Sequence, residues 1–366
     1  MKFVGFGFPR CVIPDTFGGI SGARARPGAL LVRPAGPVLQ AILLLALGTL
    51  LLPGAGKAAT ASGPSTAHAS PGGHPAQARP APKPGDPGIR SNVALVIDAA
   101  LGTPLYSKHQ DQVSPIASIT KLMTAMVVLD AGLDAAATVT IDGADVDIVK
   151  HTRSRLPVGA GIARGELLRV ALMSSDNRAA AALARTYPGG TPACLRAMNR
   201  KAIALGMTRT SFADPTGLSS RNVSNAEDLT RLVLAASRYP AIREATTASM
   251  HALTLKDGRV LQFNNSNGLV RNPSWSIGLS KTGYINEAGR CLVMQAEIAA
   301  RQVIIVLLDS WGKYTRLGDA NRIRHWLEGA VPPAARAAAA AAAAEGPVVH
   351  APSPPISTFA PGPFAP

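Results

Sequence analysis

Pro115-Ile116-Ala117-Ser118-Ile119-Thr120-Lys121-Leu122-Met123-Thr124-Ala125 is the stretch on which the reading of this chain turns. Ser118 and Lys121 stand three apart, and apolar residues recur at helical spacing behind them (Leu122, Met123, Met126, Val127) until Gly132. Ser114-Pro115 predicts the helix start, with serine as N-cap and proline at the first helical position. Residues three apart share a helix face. A serine hydroxyl is a poor nucleophile until a base takes its proton. A lysine is such a base when burial or a second cation keeps it partly neutral. The helix start also offers backbone N–H groups near the hydroxyl. The plain alternative is a surface serine and lysine on an ordinary helix.

Two further motifs follow in order. Ser175-Asp176-Asn177 falls on a polar joint between two apolar helical segments, Gly165 to Met173 and Arg178 to Tyr187. Ser175 would relay a proton to a leaving amine and Asn177 would hold a substrate amide; the alternative is a simple helix cap. Lys281-Thr282-Gly283 lies in a predicted strand from Ile277 to Ile285. Glycine inside a strand often marks close backbone approach, and a peptide can add itself as a further strand along such an edge. Lys281 would be the second cation beside Lys121. Lys281 and Thr282 would bind a carboxylate, and the N–H of Tyr284 with that of Ser118 would form an oxyanion hole. Each motif alone is weak. Together, in this order, they spell a serine acyl-transfer site without a catalytic histidine.

The chain has 366 residues and a formal charge of +15, with 4% aromatics. No nucleic-acid motif accompanies the charge, and so few aromatics argue against base-stacking platforms, so a nucleic-acid partner is not expected. Outside the cytoplasm a basic surface would suit an anionic envelope, but solubility alone is the better explanation of the charge. Residues 1–61 read as a leader: Arg24, Arg26 and Arg33, then the apolar run 38–52, then small residues with Ala59-Thr60-Ala61 as a cleavage site. The run falls short of the ~20 residues that span a bilayer. Export to the periplasm is the expectation, with an uncleaved membrane tether through 38–52 as the rival. Residues 62–90 read as a Pro/Ala/Gly linker and 331–366 as an Ala/Pro-rich tail, leaving 91–330 as one catalytic domain. Cys11 belongs to the leader. Cys194 and Cys291 read as two buried thiols rather than a disulfide, and no cysteine has a histidine at metal-ligand spacing, so neither metal nor cofactor is expected.

The rest of the domain has strands at both ends and helices between. Val93 to Asp98 and Leu105 to Ser107 open it. Helices are expected over Leu195 to Leu205, after Pro188-Gly189-Gly190, and over Ala226 to Ser237, behind a capping box at Ser224 to Glu227. Asp257-Gly258 marks a hairpin between His251 to Lys256 and Arg259 to Phe263. Strands over 290–298 and 302–308 and a helix over 314–327 close the domain. The layout predicts an α/β (α+β) fold with one antiparallel sheet, built from both ends of the domain and backed by a helical half.

At these residues the chain resembles the penicillin-binding, active-site-serine D-alanyl-D-alanine peptidases of low molecular mass. The resemblance spans most of 91–330 and includes Asp214-Pro215-Thr216-Gly217-Leu218 and Lys281-Thr282-Gly283-Tyr284-Ile285-Asn286-Glu287-Ala288-Gly289. It is nearest to the short soluble endopeptidases of that family. It implies the serine β-lactamase/DD-transpeptidase fold, peptidoglycan stem peptides as substrate, an acyl-enzyme on Ser118, Lys121 as base and β-lactams as covalent inhibitors. The tail after the domain lacks the amphipathic anchor of the membrane-bound carboxypeptidases. No Glu-x-x-Leu-Asn motif lies between Ser175 and Lys281, which argues against a β-lactamase; Glu166 reads as a capping or surface residue. A carboxypeptidase, or a wall-binding protein without activity, are the remaining alternatives.

Overall fold

The computed structural model describes residues 85–330. The leader, the membrane tether, most of the linker and the tail expected from the sequence lie outside these residues.

A five-stranded antiparallel sheet forms one half of the domain. It comprises β1 (Val93–Asp98), β2 (Pro104–Lys108), β9 (Ser276–Ile285), β10 (Gly289–Ile298) and β11 (Arg301–Ser310), in the order β2-β1-β11-β10-β9. The other half is helical: α1 (Thr120–Asp130), α2 (Arg164–Met173), α3 (Asn177–Arg185), α4 (Gly190–Ala204), α5 (Ala226–Ala236) and α6 (Pro240–Thr247). Three short ladders trim it: β3 (Ser114–Pro115) with β6 (Val223–Ser224), β4 (Thr138–Thr140) with β5 (Gly161–Ala163), and the hairpin of β7 (Met250–Thr254) with β8 (Val260–Asn264). The last helix, α7 (Thr315–Ala330), lies against β10 and β11.

Side chains alternate across a strand, and a sheet covered on both faces needs apolar residues at every position. In β1, Val93 and Leu95 join the core shared with the helical half. Ala94 and Val96 join the second core, with Ala320, Ile323 and Leu327 of α7. That double burial is why Val93 to Ile97 reads as an unbroken apolar run. Helix α1 is buried on nearly all sides, Thr120 through Val128, and takes Thr120, Lys121 and Thr124 into the interior along with its apolar residues. It is the post around which the helical half is built.

The domain follows the expected layout of terminal strands around central helices, with four local differences. The nucleophile helix does not open at Ser114-Pro115. Those residues pair with Ser224 and Val223, Ile116 N–H donates to Asn222 O at 3.0 Å, and the helix starts only after a 3-10 turn over Ala117–Ile119. Strand pairing has overridden a good local cap. The same ladder takes Ser224 out of the expected capping box, so Asn225 caps α5, accepting from Asp228 N–H. Helix α4 begins at Gly190, five residues before the periodic stretch. Gly189 and Gly190 turn the chain at positive φ, and Pro192 sits in the first turn, where its missing N–H costs nothing. The ladder of β4 with β5 and helix α6 were not anticipated.

Cys194 and Cys291 are separate, buried and free, and burial pushes both thiols up to about 11. Asp319 of α7 fastens the two ends of the domain. Its carboxylate is fully buried. It accepts from Arg90 N–H (2.9 Å), Ser91 N–H (2.7 Å) and Ser91 Oγ (2.5 Å) and pairs with Arg322. Asp319→Ala strands several donors at once and is expected to cost about 3 kcal/mol in urea unfolding; a loss under ~1 kcal/mol would show that the clasp contributes little.

Candidate active site

Ser118 sits on the 3-10 turn that leads into α1, in a tight backbone corner. Ala117 is forced into the left-handed region, at φ 48°. Two glycines clamp this corner. A Cβ on Gly217 would stand 2.0 Å from Ala117 O, and one on Gly283 would stand 3.0 Å from Ile116 O and 3.1 Å from Ser118 N. Gly217 is also at φ +85°, a conformation cheap only for glycine. The strand carrying Lys281-Thr282-Gly283 is thereby pressed against the serine turn.

Lys121, one turn further along, is 1% exposed. Its Nζ donates to Ser118 Oγ (2.9 Å), Asn177 Oδ1 (2.6 Å) and Thr216 O (2.6 Å). Burial pulls the Lys121 amine from 10.5 down to about 7, against the charges of Asp214, Asp176 and Asp147, which favour the ammonium. At neutral pH a substantial fraction is therefore the free amine, with a lone pair within hydrogen-bond reach of the Ser118 hydroxyl.

Asn177 is the first residue of α3, and Asp176 caps that helix by accepting from Ala179 N–H. Asn177 Nδ2 donates to Thr152 Oγ1 at 2.8 Å. Ser175 stands at the joint between α2 and α3 at φ 64°, a strained conformation for a residue with a side chain. The joint aims Ser175 at the sheet: Lys281 Nζ donates to Ser175 Oγ at 2.8 Å and to Thr282 O at 3.0 Å. Thr282 Oγ1 donates to Ser266 Oγ at 2.7 Å.

The ordinary pKa of Lys281 is pushed well down by burial, then by the charges of Lys121 and Arg316. The expected coupling between the lysines is thus present, but its weight falls on Lys281; burial, rather than Lys281, lowers Lys121. The Tyr284 ring is half exposed and stacks under Arg290, 4.4 Å from the ring centre, while its hydroxyl donates to Asn286 Oδ1.

Two contributors were not singled out from the sequence, and a third stood out there only by resemblance. The loop 213–222 supplies Thr216 O to Lys121, and Asp214 holds it by accepting from Thr216 N–H, Gly217 N–H and Ser219 N–H. Asn222 ties that loop to the first motif through Thr120 Oγ1 and Ile116 N–H. Arg316 of α7 is nine-tenths buried, with Nε and Nη1 lacking hydrogen-bond partners, and its charge reaches Lys281. The segment 214–218 stood out by resemblance, but a main-chain carbonyl has no sequence signature, and Arg316 looked like any arginine of a closing helix.

Two clefts meet at this site, and Asn177 lines both. One, of about 750 Å³, runs between the 144–150 loop and the 213–221 loop. The other, of about 560 Å³, is lined by Ser174, Ser175, Asp176 and the 153–155 loop.

The sequence profile of the family described as D-alanyl-D-alanine carboxypeptidase matches residues 80–312. The chain is 48% identical over 268 residues to a D-alanyl-D-alanine endopeptidase of Pseudomonas aeruginosa, covering 71% of this chain and 86% of that protein. It is 46% identical over 253 residues to a D-alanyl-D-alanine endopeptidase of Escherichia coli, covering 69% and 82%. Among solved structures, the Streptomyces K15 DD-transpeptidase superposes with a TM-score of 0.62 at 30% identity, over 66% of this chain and 98% of that one. The chain belongs to this family of serine-type D-alanyl-D-alanine peptidases, and the expected fold is the one it has.

Gly217→Ala is expected to lower stability by about 3 kcal/mol, through left-handed strain and the clash with Ala117 O, and to abolish acylation of Ser118. Thermal unfolding and a serine-directed acylating probe test this; an unchanged midpoint with normal labelling would contradict the clamp.

Proposed function

We propose that this family member is a peptidoglycan DD-endopeptidase that cleaves D-alanyl cross-links through an acyl-enzyme on Ser118. The observation that carries the reading is the buried Lys121 amine, brought to about 7 and set 2.9 Å from Ser118 Oγ. The endopeptidase names of the relatives at 46–48% identity support cross-links as the substrate.

In this reading the neutral Lys121 amine takes the Ser118 proton as Oγ bonds to the D-alanyl carbonyl carbon. The oxyanion is held by Ser118 N–H and Tyr284 N–H, a pairing supported by the press of Gly283 against Ser118 N. The carbon–nitrogen bond then breaks, and the leaving amine carries off the proton through Ser175. Water attacks the ester, gives its proton to Lys121 and its hydroxyl to the acyl group, and Ser118 Oγ leaves with a proton. Asn177 holds the substrate amide. Thr282 and Gly283 line the binding strand: β9 is the outermost strand of the sheet, open to an added peptide strand.

The carboxylate beside the scissile amide meets Thr282. Behind it stand Lys281, which donates to Ser175 Oγ, and the buried Arg316, whose charge reaches Lys281. β-Lactams acylate Ser118 as stalled substrates. The site works outside the cytoplasm, at the wall, and the run 38–52 remains the proposed route of export or tethering.

Digestion of purified cross-linked muropeptide dimers tests the proposal: monomers should appear, and loss of terminal D-alanine alone would instead favour a carboxypeptidase. Ser118→Ala should abolish penicillin labelling and Lys121→Ala should slow it about a hundredfold or more. Because the neutral amine is the active form, wild-type acylation should rise with pH and reach half its plateau near 7. A rate that falls through this range, or normal labelling of either variant, would refute the assigned pair.

A further inference from the structure

The two clefts that meet at Asn177 match the two arms of a cross-link. Resting on the endopeptidase reading above, we propose that the 153–155 side of the site is an acidic-peptide subsite, in which Arg153 and Arg155 hold the stem peptide that departs.

Ser175 decides which arm enters which cleft. It is the hydroxyl that returns the proton to the leaving amine, and it lines the cleft of about 560 Å³. The departing arm must therefore lie there. The arm that stays on Ser118 lies on the Thr216 side, in the cleft of about 750 Å³.

The charge of the smaller cleft fits that arm. A stem peptide carries free carboxylates along its length and at its end. Arg153 is exposed and makes no hydrogen bond or ion pair among the described residues. Arg155 is exposed too. It donates one N–H to Gln262 O and lies over the Phe263 ring at 5.8 Å, which orients the guanidinium and leaves its other donors open. Asp176, the carboxylate that lines the same cleft, is consumed: it caps α3 and accepts from Ser154 Oγ at 2.8 Å. Two open guanidinium groups facing no free acid form a site for carboxylates.

The same geometry separates endopeptidase from carboxypeptidase action. A departing alanine reaches only ~3.5 Å beyond the cleaved bond and ends near Ser175 and Thr282. A departing stem peptide continues past them to the arginines. The 153–155 loop therefore raises selectivity for cross-links over free D-alanyl termini without touching the reacting atoms.

The test compares wild type with Arg153→Glu and with Arg153→Gln/Arg155→Gln. Each is assayed on a cross-linked muropeptide dimer, on a monomeric pentapeptide and with fluorescent penicillin. Loss of a charge-assisted contact should lower kcat/KM on the dimer about tenfold or more, mainly through KM. Pentapeptide cleavage and penicillin labelling, which use only the common part of the site, should stay within about twofold. A dimer rate equal to wild type overturns the inference, as does an equal fall on all three substrates, which marks a structural role for the loop. Wild-type protein that labels with penicillin yet leaves dimers intact overturns the endopeptidase reading itself, a result distinct from either.

Discussion

The Lys121 amine is the point on which the domain converges. Three acceptors from three separate segments meet it: Ser118 Oγ from its own helix start, Asn177 Oδ1 from the head of α3, and Thr216 O from the 213–222 loop. A buried amine without partners would be very costly, so each segment must be held where it is. Asp214 and Asn222 hold the loop, Asp176 holds the head of α3, and the pairing of β3 with β6 holds the serine turn. The fold near the site is largely the set of contacts that keeps one lysine buried, bonded and poised to lose its proton.

This arrangement trades stability for reactivity. Lys121 and Lys281 are each 1% exposed, and the buried Arg316 lies close enough for its charge to act on Lys281. Ala117 and Ser175 both take left-handed backbone, the first beside the nucleophile and the second as a member of the site. Strain and buried like charge of this kind persist where surrounding structure over-determines them, and they gather at functional sites. The supporting structure is visible: two continuous cores cover both faces of the sheet, and Gly217 and Gly283 let backbone segments approach as side chains would forbid.

Much of this was legible in the sequence, because the chemistry needs particular side chains at particular spacings. Ser118 lies on the 3-10 turn that leads into the helix of Lys121, Ser175 and Asp176 lie on the joint that ends at Asn177, and Lys281 to Gly283 lie in a strand, close to what the local patterns indicate. The terminal strands announced the sheet through unbroken apolar runs. What escaped is what has no side-chain signature or is decided at long range. Ser114-Pro115 is a sound helix start in isolation, yet it pairs with a strand more than a hundred residues away. Ser224 lost its capping role to the same ladder. The carbonyl of Thr216 could be any carbonyl, and the importance of Arg316 depends on its burial beside Lys281, which periodicity does not report.

The central claim is that burial alone brings Lys121 into the range where it can act as a base. Direct titration of Lys121 by NMR, with lysine labelled at the side-chain amine and its carbon neighbour and assigned by the resonance missing from Lys121→Arg, tests this without relying on turnover. A midpoint near 7 is expected. A midpoint at the ordinary lysine value of 10.5 would mean that Lys121 is a fixed cation, and that some other group takes the proton from Ser118.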